Sequence, residues 1–162
     1  IIPAMITYPL YIEIILKIKS DFQDTLEFIK KMEEFENSIN KFDYVLADVP
    51  CSGLGIIRRK PEIKYKSKAE IKDLPVLQRK ILENASKYVK VGGNLLYSTC
   101  TILDSENIEV INNFLKENDN FELVPIDEVN VDLDNQEKGY LKIYPNIHGM
   151  DGFFIAKLKR VR

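Results

Sequence analysis

The sequence predicts an α/β fold built on a mostly parallel sheet with one antiparallel strand. Two short apolar runs, at 42–47 and 95–98, have the length and composition of buried strands. Between them, the segment from 71 or 74 to 90 places its apolar side chains on one face of a helix. A strand, a helix and a second strand in this order favour a right-handed crossover and parallel pairing.

The remaining elements continue this alternation. They are predicted from the spacing of apolar residues as strands over 11–19, 121–126 and 152–159, and as helices over 25–38 and from 104 or 105 to about 117. Gly92 and Gly93 are expected to end the central helix in a left-handed cap, and Asp104 or Ser105 is expected to cap the next helix. The last strand is expected to be antiparallel, at an edge or in an insertion.

Composition indicates an ordinary globular domain rather than a disordered or membrane-spanning chain. Hydrophobic residues make up 45% and charged residues 30% of the 162 residues. No apolar run reaches the length of a membrane span, and no basic region precedes an apolar core as in a secretory signal. We therefore expect a single domain, in the cytoplasm and without a membrane partner.

Charge is distributed unevenly along the chain. The net charge is −2, from 23 basic and 25 acidic residues, whereas nucleic-acid-binding domains are often strongly basic. Residues 58–72 nevertheless contain seven Lys or Arg against two Glu. This basic segment is either a solvated face or a contact for a phosphate backbone.

The two cysteines follow the two buried strands closely. Ligands of open α/β sheets bind beyond the carboxyl ends of the strands, so Cys51 and Cys100 are expected to face one cleft. The alternative is that each thiol fills the core as a small hydrophobe. A single His and the absence of a CxxC pair argue against a zinc site, and we expect no metal. A disulfide has little motivation without an export signal.

The segments around the cysteines resemble paired motifs of a known family. Asp48-Val49-Pro50-Cys51-Ser52-Gly53-Leu54-Gly55 and Ser98-Thr99-Cys100-Thr101 are similar to signature motifs of the Sun/Nop family of RNA 5-methylcytosine methyltransferases. The segments 57–65 and 151–157 resemble the bacterial branch that acts on small-subunit ribosomal RNA. The resemblance runs from about Lys41 to the C-terminus. It implies the C-terminal part of a Rossmann-like class I methyltransferase sheet, with 16S ribosomal RNA as substrate.

The resemblance also implies roles for individual residues. Cys100 would add as a thiolate to C6 of cytosine, which makes C5 nucleophilic toward the methyl group of S-adenosylmethionine. Cys51 would assist release of the product, and Asp48 would polarise the Watson–Crick edge of the base. Pro50 would shape the loop that holds the base. Asp48, Pro50 and Asp21 are assigned to cofactor contacts; for Asp48 alone, a loop-capping role is the alternative.

RNA contacts are expected from the basic segment, because lysine and arginine supply most sequence-independent affinity for RNA. The residues assigned to this role are Arg58, Arg59, Lys60 and Lys64. His148 is expected to be structural. Because the resembling family has a similar pattern around this position, the alternative is that His148 lines the pocket.

The family's glycine-rich cofactor loop is not found in the sequence, because no glycine precedes Gly53. The chain also begins with Ile1 rather than Met, which we interpret as the start of a fragment. Residues 1–40 are assigned to a strand and a helix left from the cofactor half, and 41–162 to the catalytic part of the domain.

Two other functions stay open. One is a truncated, non-catalytic RNA-binding fragment. The other is a DNA cytosine methyltransferase, against which the second cysteine and the 151–154 motif argue.

Overall fold

The computed structural model describes residues 11–15, 38–127 and 135–162. In these residues it contains a mixed six-stranded sheet. The strands are β1 (Tyr11–Ile15), β2 (Phe42–Asp48), β3 (Val89–Thr99), β4 (Phe121–Leu123), β5 (Tyr140–Ile143) and β6 (Phe153–Arg160). The α-helices are α1 (Lys68–Lys72), α2 (Leu74–Ser86), α3 (Ile108–Glu117) and α4 (Pro145–His148). Short 3₁₀ turns cover Leu54–Ile56, Pro61–Tyr65, Asp104–Glu106 and Gln136–Lys138.

One strand of the six runs against the others. The strands β1, β2 and β3 pair in parallel, whereas β6 pairs antiparallel with β3 on one side and with β4 and β5 on the other. The predicted single antiparallel strand is therefore confirmed. Its predicted place at an edge or in an insertion is wrong, because β6 lies inside the sheet. The shorter β4 and β5 pair with its two ends and cover the edge that β6 would otherwise expose.

The core lies between one face of the sheet and the helices α2 and α3. Side chains alternate along β3, so that Leu95, Tyr97 and Thr99 are fully buried while the intervening residues are only partly covered. Apolar residues of α2 and α3, including Leu82 and Phe114, pack against this face. Burying this layer holds β2 and β3 at a fixed register, and their carboxyl ends therefore lie side by side.

Two predicted helix boundaries are wrong. The helix α2 ends at Ser86, and Gly92 and Gly93 lie inside β3 instead of capping it. At Gly93 a β-carbon would lie 2.9 Å from the carbonyl oxygen of Phe42, so the glycine permits a close approach of the two strands where their register shifts. Asp104 accepts a hydrogen bond from Lys142 and starts a 3₁₀ turn.

The helix α3 itself begins only at Ile108, after a break at Asn107. No side-chain cap from Asp104 or Ser105 is present, because the 3₁₀ turn places both residues one turn too early. The predicted strand over 121–126 is shorter than expected and ends at Leu123.

The N-terminal predictions are covered only in part. Strand β1 confirms a strand within 11–19, whereas the predicted helix over 25–38 lies almost wholly outside the described residues. The division at residue 40 stays a prediction. Across the described ranges, no helix combines the length and the apolar character needed to cross a bilayer.

Candidate active site

The two cysteines lie side by side where β2 and β3 end. The strands pair up to Asp48 and Ser98, and the amide of Val49 extends the ladder by donating to the carbonyl of Ser98. The loops that follow bring the Sγ atoms of Cys51 and Cys100 to 3.0 Å from each other, as two half-buried free thiols. The backbone amide of Cys100 also donates to Sγ of Cys51 at 3.3 Å. The predicted meeting of the thiols in one place is confirmed.

The short contact makes the two thiols unequal. A hydrogen bond from Cys51 stabilises the thiolate of Cys100 and lowers the pKa of Cys100 to about 7, although burial and the charge of Asp48 act in the opposite direction. The same hydrogen bond, together with burial, raises the pKa of Cys51 well above its ordinary value. Cys100 is therefore the stronger nucleophile at neutral pH, with Cys51 holding the proton.

Asp48 lies at the same strand ends as the thiols. Its carboxylate is exposed at the end of β2 and accepts a hydrogen bond of 2.7 Å from the hydroxyl of Ser98 on β3. The contact fixes the carboxylate at the ends of the two strands that the cysteine loops follow. The carbonyl of Pro50 accepts from the side-chain amide of Gln78, so it helps to hold the loop. Asp21 lies outside the described residues.

A buried carboxylate joins the two cysteine loops. Glu106 is completely buried, and its Oε2 accepts from the backbone amide of Ser52 and from Nε2 of Gln78, both at 2.8 Å. Its Oε1 accepts from the hydroxyl of Thr101 at 3.3 Å. Sequence reasoning missed this residue because a Glu just before a helix is usually explained by the helix dipole.

A close approach of two glycines locks the first loop to the C-terminal segment. The amide of Gly55 donates to the carbonyl of Cys100, and the amide of Gly152 donates to the carbonyl of Gly55 at 2.8 Å. A β-carbon on Gly55 would lie 2.1 Å from the carbonyl oxygen of Gly152. These glycines are therefore required for contact between backbones.

Part of the basic segment is held by an acidic partner. Arg58 and Arg59 form ion pairs with Asp151, and both arginine side chains remain largely exposed. The ammonium group of Lys64 lies 4.9 Å above the ring of Tyr65, which is 78% exposed. The structure thus brings the segment beside the cysteine loops, while contact of Arg58, Arg59, Lys60 or Lys64 with RNA stays a prediction.

His148 lies at the end of the short helix α4. Its Nδ1 is 3.0 Å from the backbone amide of Tyr144, which donates to it. This contact closes one turn of local structure and agrees with the structural role expected for the histidine.

Comparison with known proteins identifies the family to which this chain is similar. The family described as 16S rRNA methyltransferase RsmB/F matches residues 14–159. The probable ribosomal RNA small subunit methyltransferase B of Bacillus subtilis is 40% identical over 145 residues, which are 85% of this chain and 31% of the relative. The ribosomal RNA small subunit methyltransferase B of Shewanella oneidensis is 43% identical over 73% of this chain and 27% of the relative.

A solved structure gives the same result for the fold. NSun6 from Pyrococcus horikoshii, crystallised with SFG, superposes with a TM-score of 0.67 at 27% identity, over 83% of this chain and 33% of that one. The chain spans about a third of the length of each of these proteins. The Rossmann-like methyltransferase sheet and the expected resemblance are confirmed. On a match that covers most of its length, the chain belongs to the 16S rRNA methyltransferase RsmB/F family.

Proposed function

We propose that this chain carries the reactive centre of an enzyme that methylates C5 of cytosine in 16S ribosomal RNA, with S-adenosylmethionine as methyl donor. The observation that carries the proposal is the 3.0 Å contact between Sγ of Cys51 and Sγ of Cys100 at the ends of adjacent parallel strands. Family membership supports the RNA substrate and the methyl transfer. The relative crystallised with SFG, an analogue of S-adenosylmethionine, supports the choice of donor.

The first step uses the lowered pKa of Cys100. Its thiolate adds to C6 of the cytosine, so that an S–C6 bond forms and the electron pair of the C5–C6 double bond moves toward C5 and the ring. Asp48 lies at the same strand ends, fixed by the hydroxyl of Ser98, where its carboxylate can hold against N3 a proton taken up from solvent as the electron pair moves onto the ring. S-adenosylmethionine, when bound, supplies the methyl group that C5 attacks.

The second step restores the aromatic ring. The proton on C5 must be removed and the S–C6 bond broken, which returns the thiolate to Cys100. Cys51 has a raised pKa while it faces the Cys100 thiolate. Once Cys100 is bonded to carbon, that hydrogen bond and charge are gone. The proton on Cys51 is then released to solvent more easily, and the resulting thiolate can accept the proton from C5.

Cofactor contacts would come from the ends of β1 and β2. Ile15 pairs in register with Asp48, so β1 and β2 end at the same edge of the sheet, next to the cysteine loops. This edge is where open α/β sheets bind ligands, and the exposed carboxylate of Asp48 can accept hydrogen bonds from a donor there. Contacts from Pro50 and Asp21, and a location in the cytoplasm, stay predictions.

The test is trapping of the covalent adduct. The chain, together with any upstream sequence that its gene encodes, is incubated with S-adenosylmethionine and RNA containing 5-fluorocytidine, whose C5 fluorine cannot leave as a proton does. We expect a covalent complex that is lost in Cys100→Ala and in Cys100→Ser. In Cys51→Ala, ordinary RNA should stay attached, because release of the product is blocked.

Two outcomes would contradict the assignment. An adduct that persists without Cys100 but requires Cys51 would exchange the roles of the two thiols. The absence of any adduct, with RNA still bound, would favour the second candidate function, a non-catalytic RNA-binding module.

A further inference from the structure

Glu106 has no exposed surface, and each described hydrogen bond to its carboxylate comes from a donor. The amide of Ser52, the side-chain amide of Gln78 and the hydroxyl of Thr101 point toward its two oxygens. An ionised carboxylate only accepts hydrogen bonds, so this set of donors fits the charged form. Burial of such a group is costly, and these donors offset the cost.

Two of the three donors are the direct neighbours of the two reactive thiols in the chain. Ser52 follows Cys51 in the chain, and Thr101 follows Cys100. The hydroxyls of Ser52 and Thr101 are also 2.7 Å apart, which closes the network between the two loops. On the other side of Cys51, the same amide of Gln78 that contacts Glu106 donates to the carbonyl of Pro50.

The residues beside Glu106 extend the same support. The hydroxyl of Tyr97 donates to the backbone carbonyl of Glu106 at 2.6 Å. Asn107 accepts from the hydroxyl of Thr99 and donates to the carbonyl of Thr101. The turn before α3 is thus bonded to the end of β3 on both sides of Cys100.

We propose that Glu106 is a positioning residue that fixes the two cysteine loops at the separation at which Cys51 can donate to the thiolate of Cys100. The consequence for methyl transfer rests on the proposed function. The geometric claim does not, because thiol reactivity can be measured without RNA or methyl donor.

The charge of Glu106 raises the pKa of Cys100, whereas its hydrogen bonds help to lower that pKa by holding Cys51 close to Cys100. A negative charge near the thiols disfavours a second negative charge on Cys100, and Glu106 is among the groups that raise the pKa of Cys100. Removing the whole side chain should loosen the loops, whereas removing only the charge should favour the thiolate. Two substitutions of Glu106 therefore have opposite expected effects.

Glu106→Gln preserves the shape of the network without the charge. Its carbonyl oxygen can accept from Ser52 and Gln78, and its amide can donate to the hydroxyl oxygen of Thr101. Glu106→Ala leaves the backbone amide of Ser52 without its acceptor and removes the carboxylate that bridges the two loops.

The experiment measures the rate of iodoacetamide labelling of Cys100 against pH in the 162-residue chain, with the labelled site identified by mass spectrometry. The wild-type midpoint is expected at about pH 7. In Glu106→Ala it should move upward toward the value of a free thiol, with labelling at pH 7 slowed about tenfold. In Glu106→Gln it should stay at the wild-type value or move lower.

Glu109→Ala and Glu109→Gln are the matched controls, because Glu109 is exposed in the first turn of α3 and three residues from Glu106. Neither should move the midpoint. Equal midpoints in Glu106→Ala and wild type would overturn the proposal. If Glu106→Ala proves unfolded by circular dichroism, Glu106→Gln decides: a midpoint raised to that of a free thiol would contradict the positioning role.

The two proposals fail in different ways. An unchanged midpoint in Glu106→Ala, with the 5-fluorocytidine adduct still formed by the wild-type protein, contradicts only the role of Glu106. A raised midpoint in Glu106→Ala, with no adduct formed by the wild-type protein, contradicts the methyltransferase assignment and leaves the positioning of the thiols in place.

Discussion

At the scale of single residues, the reactivity of Cys100 comes from the hydrogen bond that it shares with the thiol of Cys51. Among the residues that the structure describes, no Lys, Arg or His shifts the pKa of either cysteine, so the lowered pKa of Cys100 does not come from the usual cationic neighbour of a nucleophilic cysteine. The donor is the other thiol. Each cysteine therefore sets the protonation state of its neighbour.

Replacing Cys51 should make Cys100 less reactive at neutral pH. A hydrogen bond to the thiolate favours ionisation, so its loss in Cys51→Ala should raise the pKa of Cys100 from about 7 toward or above the ordinary value, because burial remains. Labelling of Cys100 by iodoacetamide at pH 7 should fall about tenfold, and the rate should recover as the pH rises above 8.5.

The reciprocal substitution is the control. In Cys100→Ala, the main causes that raise the pKa of Cys51 disappear and only burial is left, so its pKa should fall. Labelling of Cys51 should then become faster than in the wild-type chain at the same pH. Unchanged labelling of each cysteine in the absence of the other would show that the thiols do not share a hydrogen bond in solution.

At the scale of elements, the first cysteine loop is fixed by backbone contacts to segments far away in the sequence. Gly55 bonds to the carbonyl of Cys100 after β3, and Gly152 before β6 bonds to Gly55. Three chain segments therefore meet with no side chain between them. The spacing of the cysteine loops depends on this meeting as well as on Glu106.

Adding a methyl group at Gly55 should separate these segments. The new β-carbon would lie 2.1 Å from the carbonyl oxygen of Gly152, so the backbone must move. We expect Gly55→Ala to lower the free energy of unfolding by about 1–3 kcal/mol, the usual cost of overpacking, as measured by urea denaturation. Labelling of Cys100 at pH 7 should also slow, because the loop that carries its partner moves away.

Gly149→Ala is the matched control. Nothing lies within 4 Å of a β-carbon at Gly149, but its φ of 69° disfavours an L-residue by about 1–2 kcal/mol. It should lose stability while keeping the labelling rate of Cys100. Equal labelling in the two variants would mean that the contact at Gly55 does not position the thiols.

At the scale of the whole molecule, the basic segment at 58–72 stands out against a net charge of −2. Arg58 and Arg59 pair with Asp151, so they also hold the segment against the C-terminal part of the chain. Lys60 and Lys64 lie between these arginines and the exposed ring of Tyr65 in the sequence. A surface of this kind suits phosphates and an unstacked base.

Removal of both lysines should weaken RNA binding in a salt-dependent way. Each phosphate contact to single-stranded RNA contributes about 0.7 to the slope of log K against log salt. We expect Lys60→Ala with Lys64→Ala to reduce that slope by about 1.4, measured by fluorescence anisotropy with a fragment of 16S ribosomal RNA. Lys116→Ala, exposed near the end of α3, is the control; a double variant with the wild-type slope would exclude the lysines from phosphate contact.

Local patterns were sufficient to predict the strands β2 and β3 and most of α2, because apolar periodicity reports burial directly. They failed at Gly92 and Gly93, which were expected to end a helix and instead lie in β3. A glycine favours both a helix cap and a close approach between strands, and only the neighbouring strand decides between them. The position of β6 inside the sheet was also missed, since strand order is not encoded in spacing along the chain.

The sequence by itself determined that two thiols follow two buried strands, and the motifs around them determined the family. Strand ends are local features, and parallel pairing of neighbours brings them together. Only the tertiary structure decided that Cys51 and Cys100 share a hydrogen bond and that Glu106 joins their loops. Those facts depend on ångström-scale packing between segments about fifty residues apart, which no local pattern of residues records.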